Sequence, residues 1–321
     1  MSEKVFEIAI LGRALWELHS LNNEGNVGNV VEPRSVKIID PNTGEAVTTD
    51  GISGEMLKHI HSEFMWLLDD KKYLCEACKV LHPERFNYVV NKNKSKFKSP
   101  EQVIEEAVKT CDICDVHGFM VEKPTVSRKS TVEFGWALGI PEVYRDIHLH
   151  ARHAPGEKGK RQETEEGERE GGTQMIYHRP TRTGKYAIVT VFQPWRIGLN
   201  EAKQDVYSYG GKRRKERYQL ALEAYQLMFA RPEGAMTTTR LPHVVDFEGV
   251  IVYSTKPVPV PVISPLKEDY KEEVMRIAKT IRENETEVIK VLEFKGVADF
   301  VEKIGILLSK EPYEINFGGE K

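Results

Sequence analysis

Apolar positions along the chain change period several times, and each change marks an element. Val5, Ile8, Ile10 and Leu11 give a strand-length stretch from Val5 to Leu15. Residues 19–29, rich in Asn and Gly, read as a long loop. Val36–Ile39 makes a second short strand, closed by a turn at Pro41-Asn42-Thr43-Gly44. Ser53 is a good N-cap, and Leu57, Ile60, Phe64, Leu67 and Leu68 follow at helical spacing. Lys58 and His59 lie off that apolar face and His61 at its edge, which predicts one surface histidine and one half-buried structural one. Ser99, Pro100 and Gln102 form a second helix start, running to about Lys109.

Beyond Gly118, the strongest core strand is Tyr186–Phe192. Residues 146–153 and 174–179 alternate and predict a long β-hairpin. Its tip, 154–173, is poor in apolar residues and expected to be mobile. Leu220, Ala221, Ala224, Leu227 and Met228 predict an amphipathic helix over 212–230, opening on Lys212-Arg213-Arg214-Lys215, which suits either surface or an RNA contact. A strand at 247–253, a proline-stiffened connection and helices near 267–283 and 297–309 complete the chain. The order of strand, helix, strand pair, helix and strand predicts an α+β fold: a ferredoxin-like, RRM-type antiparallel sheet backed by helices. The stacking aromatics of an RRM are missing from it.

Charge adds a local contrast. The net charge is only −3, yet residues 71–98 hold eight Lys or Arg against Glu76 and Glu84, a surplus of +6. Such a patch suits an anionic partner or a solvated lysine face. Lys92, Lys94, Lys96 and Lys98 alternate, so an extended backbone would project all four from one face. No apolar run approaches the roughly 18–20 residues of a membrane span. The start, Met1-Ser2-Glu3-Lys4, lacks the features of a signal peptide, so no membrane and a cytoplasmic location are expected. No P-loop or G-x-G-x-x-G spacing occurs, which gives nucleotide hydrolysis little support.

All four cysteines fall in two couplets, Cys75-Glu76-Ala77-Cys78 and Cys111-Asp112-Ile113-Cys114. C-x2-C couplets suit one tetrahedral metal, and two complete a structural four-thiolate Zn2+ shell. Two disulfides or free thiols are the alternatives. The 32 residues between the couplets exceed the usual ribbon spacing of about 15–20, so the site is expected to pin an insertion within a larger domain, each couplet closing one helix. His82 and His117 are treated as bystanders. His148, His150 and His153 are not read as a metal site, because strand geometry splits them between faces.

Several short motifs occur together in one order: the Asn/Gly loop with Arg34, Ile52-Ser53-Gly54-Glu55-x-Leu57-Lys58-His59, Gly118-Phe119-Met120 with Arg128 and Ser130, and Gln174-x-Ile176-Tyr177. In this the chain resembles the archaeal DevR-type CRISPR-associated proteins of the Cas-seven family, over about residues 5–260. The resemblance implies a modified RRM palm (1–70, 118–145 and 181–321), a finger-like insertion (71–117) and a β-hairpin thumb (146–180). It implies a non-catalytic backbone subunit of type I-A Cascade. Such subunits polymerise as a helical filament along CRISPR RNA, beside other Cascade subunits, and hold the guide paired with target DNA. Asn22, Asn26, Asn29 and Arg34 would contact the guide backbone, with Lys58, His59, Arg128 and Ser130 along the same groove. Lys94, Lys96 and Lys98 of the insertion are added on charge. A metal-independent endoribonuclease using His59, His61, His148 or His150, and a zinc-bearing DNA-binding regulator, are the rival readings.

Overall fold

A computed structural model describes residues 3–141, 143–153, 174–203, 206–281 and 288–317. The expected hairpin tip lies outside them. β1 (Lys4–Val5) and the long β2 (Glu7–His19) are followed by a hairpin, β3 (Asn23–Val27) and β4 (Val30–Pro33), then β5 (Ser35–Ile39) and β6 (Ala46–Ile52). Helix α1 (Gly54–Leu68) leads into the shorter α2 (Glu76–Lys79), α3 (Phe86–Lys92), α4 (Pro100–Thr110) and α5 (Asp112–His117). Strands β7 (Phe119–Val121), β8 (Val126–Arg128), β9 (Val132–Phe134) and β10 (Ala137–Gly139) precede two long ones, β11 (Tyr144–His153) and β12 (Gln174–Phe192). The pair β13 (Leu199–Asn200) and β14 (Val206–Tyr207), α6 (Gly211–Ala230), β15 (His243–Ser254), α7 (Tyr270–Thr280), β16 (Ile289–Lys295), α8 (Val297–Leu308) and β17 (Glu311–Pro312) follow.

This is a mixed α and β protein with antiparallel sheets backed by helices. The main sheet is 11-stranded, with the path β16-β15-β2-β12-β10-β6-β5. The four strands at its heart, β15, β2, β12 and the β9–β10 segment, are all antiparallel. In the chain they run strand, helix, strand, strand, helix, strand, with α1 and α6 as the helices.

Period-two alternation in these strands explains why both sheet faces are covered. Ile8, Ile10, Ala14 and Trp16 of β2 join Tyr186, Ile188 and Phe192 of β12 in a core with α1, α6 and α8. Ala9 and Leu11 point the other way and pack with Val250 and Val252 against Val274 and Ala278 of α7. Phe247 stacks on Phe229 at 4.4 Å and meets Phe300 at 4.9 Å, tying β15 to α6 and α8. Gly12 faces Gly249 across β2 and β15; a Cβ on Gly12 would sit 2.7 Å from the Phe247 ring.

Several local expectations change. The Asn/Gly loop is largely the β3–β4 hairpin, because Val27 and Val30 pair across its turn. The hairpin strand and the Tyr186–Phe192 strand are one continuous β12, its first half paired with β11 and its second with β2. Lys92 ends α3 and residues 93–96 form turns, so the lysines do not alternate along a strand. Leu67 and Leu68 are exposed at the end of α1, whereas His61 is fully buried. The first couplet opens a helix instead of closing one, since Cys75 caps α2; the second closes α4 as expected, and Cys111 also caps the start of α5. The insertion has its own core, in which Leu74, Phe86, Val90, Phe97 and Ile104 surround the cysteines.

Candidate nucleic-acid interface

The N-terminal part of α1, the start of α3 and the turn into β7 enclose an open groove of about 560 Å³, lined by Lys58, Arg85, Asn87, Met120, Glu122 and Ser130 among others. Ser53 starts α1 by accepting the Met56 N–H at 3.2 Å, which puts Lys58 one turn in, off the apolar face. Arg85 donates to the carbonyls of His117 and Gly118 at 2.9 and 2.8 Å. That ties α3 to the turn forming the groove's opposite wall. Gly118 has φ +69°, and a Cβ there would fall on the Arg128 carbonyl oxygen. Gly118→Ala is therefore expected to lower stability by about 1–3 kcal/mol, read as a lower urea midpoint. An unchanged midpoint would show that the turn relaxes freely.

Lys58 sets the electrostatics of this groove. Partial burial and the neighbouring Arg85 guanidinium push its ammonium down to about 8. Among the described residues it has no carboxylate in ion-pair contact. His59 is held up by the Glu63 carboxylate, one helical turn away at 3.1 Å. Ser130 sits at the rim and donates to the Val132 carbonyl at 2.6 Å. Met120 is an exposed apolar side chain beside these cations. The arrangement can hold an anion and offers apolar surface next to it.

The other expected contacts divide. Asn26 is exposed on β3, and Asn29 donates to the Ile176 carbonyl at 3.3 Å, joining that hairpin to β12. Arg34 pairs with Glu24 at 2.8 Å and lies over the Trp136 ring. Lys94, Lys96 and Lys98 are exposed, and Lys96 pairs with Glu106 at 2.8 Å. Two expected contacts are corrected, because their side chains turn inward. Buried Asn22 accepts the Ser53 N–H at 2.9 Å. Arg128, 2% exposed, is held by the Asp115 carboxylate at 2.6 Å and the carbonyls of Leu199 and Arg196. The two arginines at the basic start of α6 also turn in, while Lys212 is exposed. Arg214 is buried against the Ile197 and Tyr313 carbonyls, and Arg213 pairs with Asp112.

Arg128 belongs to a buried cluster that sequence patterning does not single out. Asp115 accepts from Arg128, Arg217, Tyr209 and the Gly198 N–H, while Arg217 also holds Asp112 at 2.6 Å. Asp112 lies within the second couplet and Asp115 directly follows it, and Arg217 sits on the buried side of α6. The one available signal is an arginine in phase with apolar α6 residues.

The candidate acid–base histidines do not converge. His61 bonds His117 at 2.9 Å in the core, and burial drives it down to about 3. His148 meets Thr181, and His150 meets Arg240. The four cysteines do come together: all are buried, unbridged and within 4.8 Å of one another. Among the described residues no helix is long and apolar enough to cross a membrane.

A family model described as "CRISPR-associated negative auto-regulator DevR/Csa2" matches residues 10–275. A Methanocaldococcus jannaschii protein described as "CRISPR-associated protein Cas7/Cst2/DevR" is 28% identical over 313 residues, which cover 92% of this chain and 95% of that one. Among solved structures, a chain of a "CRISPR RNA-guided surveillance complex, pre-nicking" is similar with a TM-score of 0.49 at 11% identity, covering 97% of this chain and 96% of its own. A chain of another "CRISPR RNA-guided surveillance complex" has a TM-score of 0.46 at 11% identity, covering 89% and 87%.

Proposed function

From the premise that the chain belongs to the CRISPR-associated DevR/Csa2 family, we propose that it is the RNA-binding backbone subunit of a type I-A CRISPR interference complex. The observation that carries this reading is the open groove, with Lys58 half-buried in it and, among the described residues, without an ion-pair partner. A cation so placed gains most from a phosphate, whose charge offsets the hydration that burial removed. The rim hydroxyl of Ser130 adds a polar group to the groove, and Asn26, Lys94 and Lys98 are exposed polar residues outside its lining. Contacts of this kind hold a nucleic-acid backbone without reading bases, leaving recognition of target DNA to pairing with the guide.

The chain order β2, α1, β9–β10, β12, α6, β15 supports reading the centre as a modified RRM-type palm. The β11–β12 hairpin then serves as a thumb. Ile147, Leu149 and Ile176 are exposed apolar residues on its arms, suited to lie against a neighbouring copy. Repetition of such a head-to-tail contact gives an open filament. The dispersed histidines favour a scaffold over an endoribonuclease.

Titrating the protein with single-stranded CRISPR-repeat RNA and with duplex DNA of matched length tests the reading. Tighter, salt-sensitive RNA binding and RNA-dependent arrays in electron micrographs are expected. The words "negative auto-regulator" in the family description support a second reading as a duplex-DNA regulator. Tight sequence-specific duplex binding would replace the first reading with that one, and metal-free cleavage of the RNA would overturn both.

A further inference from the structure

We propose that Cys75, Cys78, Cys111 and Cys114 bind one zinc ion as four thiolates, and that this ion fixes the stretch of chain by which the insertion grips the rest of the protein. The inference is independent of the RNA reading.

The geometry fits a single ion. Sγ of Cys114 lies 3.8 Å from that of Cys75 and 3.6 Å from that of Cys78, and all four sulfurs fall within 4.8 Å. A tetrahedron with metal–sulfur distances of about 2.3 Å has edges of about 3.8 Å. A disulfide would need about 2.05 Å. An iron–sulfur cluster places several metals and sulfides between its ligands, so its cysteines stand further apart. Four soft donors at tetrahedral spacing, all buried, close the coordination shell against water, which is the arrangement of a structural zinc site.

Further contacts support the thiolate form. The Cys78 N–H points at Cys75 Sγ at 3.5 Å, and the Cys114 N–H at Cys111 Sγ at 3.4 Å. Each couplet thus offers a backbone donor to its own first sulfur, the outer support that metal ligands commonly receive. The Asp112 N–H also donates to the Tyr73 carbonyl at 2.9 Å. The second couplet is therefore tied by backbone to the segment that carries the first.

The wider role follows from what lies between the ligands. Cys111 to Cys114 form the start of α5, and Asp112 and Asp115 rise from the same turn. Those two carboxylates hold Arg213, Arg217 and Arg128, which belong to α6 and β8. An ion on Cys111 and Cys114 fixes the pitch of that turn, and with it the aim of both carboxylates. Without the ion, two ligating couplets become loose ends at the base of the insertion.

Elemental analysis of the purified full-length protein tests the first part. About one zinc per chain is expected, released in step with thiol modification by a mercurial. Cobalt replacement is expected to give the intense visible and sulfur-to-metal absorption of a tetrahedral thiolate site. Iron in place of zinc, zinc below about a tenth of an equivalent after reconstitution, or a cobalt spectrum without the sulfur bands overturns the site. Cys111→Ser is expected to lose the ion. Because a serine in the buried shell can itself prevent folding, the wild-type metal content and cobalt spectrum stand as separate readouts. For the second part, stripping zinc from wild-type protein is expected to lower the melting temperature and expose the α5–α6 contact to hydrogen exchange. Unchanged melting and exchange after stripping would confine the ion to the insertion.

Discussion

Asp115→Ala is expected to destabilise the protein by about 3–5 kcal/mol. Asp115 is fully buried and accepts from two guanidiniums, a phenol and a backbone N–H. Alanine leaves Arg128 and Arg217 buried with much of their charge uncompensated. An unpaired buried charge costs far more than an intact pair contributes. Arg217 keeps Asp112 and the Val108 carbonyl, and Arg128 keeps its carbonyl partners, which holds the loss below complete unfolding. Urea unfolding followed by tryptophan fluorescence measures it. Trp66 is a suitable reporter, since its indole N–H reaches across to the Lys79 carbonyl in the insertion at 3.1 Å. A change below about 0.5 kcal/mol would mean that solvent or a rearranged partner replaces the carboxylate.

Lys58→Met is expected to weaken RNA binding while stabilising the free protein. Loss of one phosphate contact should reduce the salt slope of single-strand binding by about 0.7. The stability effect comes from the lysine's own environment. Its folded value near 8 lies below the ordinary 10.5, so folding disfavours the protonated form. The penalty is fully present below pH 8 and is relieved as pH rises from 8 toward 10.5, where the unfolded chain binds more protons than the folded one. Wild-type protein should therefore gain stability across that window, and the methionine variant should lack the gain. At neutral pH the variant is expected to be more stable by about 1 kcal/mol, a value discounted for the lysine's partial exposure. Denaturant midpoints at pH 7 and pH 10 check the sign. A variant less stable than wild type at pH 7 would refute it.

The elements were legible where periodicity and capping agreed. Ser53 and Ser99-Pro100 mark true helix starts, each serine side chain accepting the N–H three residues on. Tyr186–Phe192 and the 212–230 helix stand out because tertiary packing uses the same positions that patterning favours. The length of β12 was hidden because Pro180 and Gly184 fall between its two patterned stretches. Pro180 is tolerated opposite Ile147, ahead of the Arg182–Gly184 stretch where β2 joins. The alternating lysines misled for the opposite reason, since alternation without an apolar face gives a strand nothing to pack against. Apart from the phase of Arg217 in α6, the buried cluster around Asp115 left no sequence signal, because a charged residue in a helix reads as surface until its partner is known. Here the partners lie 102 residues apart, from Asp115 to Arg217. In the groove, Lys58 and Ser130 were accessible to short-motif reading, but the inward turn of Asn22 and Arg128 was not. Residue type alone does not distinguish a cation that holds phosphate from one that holds a carboxylate.

β12 carries both the hairpin arm and the centre of the sheet on one unbroken backbone, with a register shift between Arg182 and Gly184. That continuity makes the arm a ruler with a fixed graduation. One residue inserted into its outer half would swap the faces of every side chain beyond it. Two residues, matched on β11, would restore the faces and extend the arm by about 7 Å. The reach of the hairpin is therefore quantised in residue pairs. Any spacing the molecule imposes along a bound strand can be lengthened or shortened only in steps of that size.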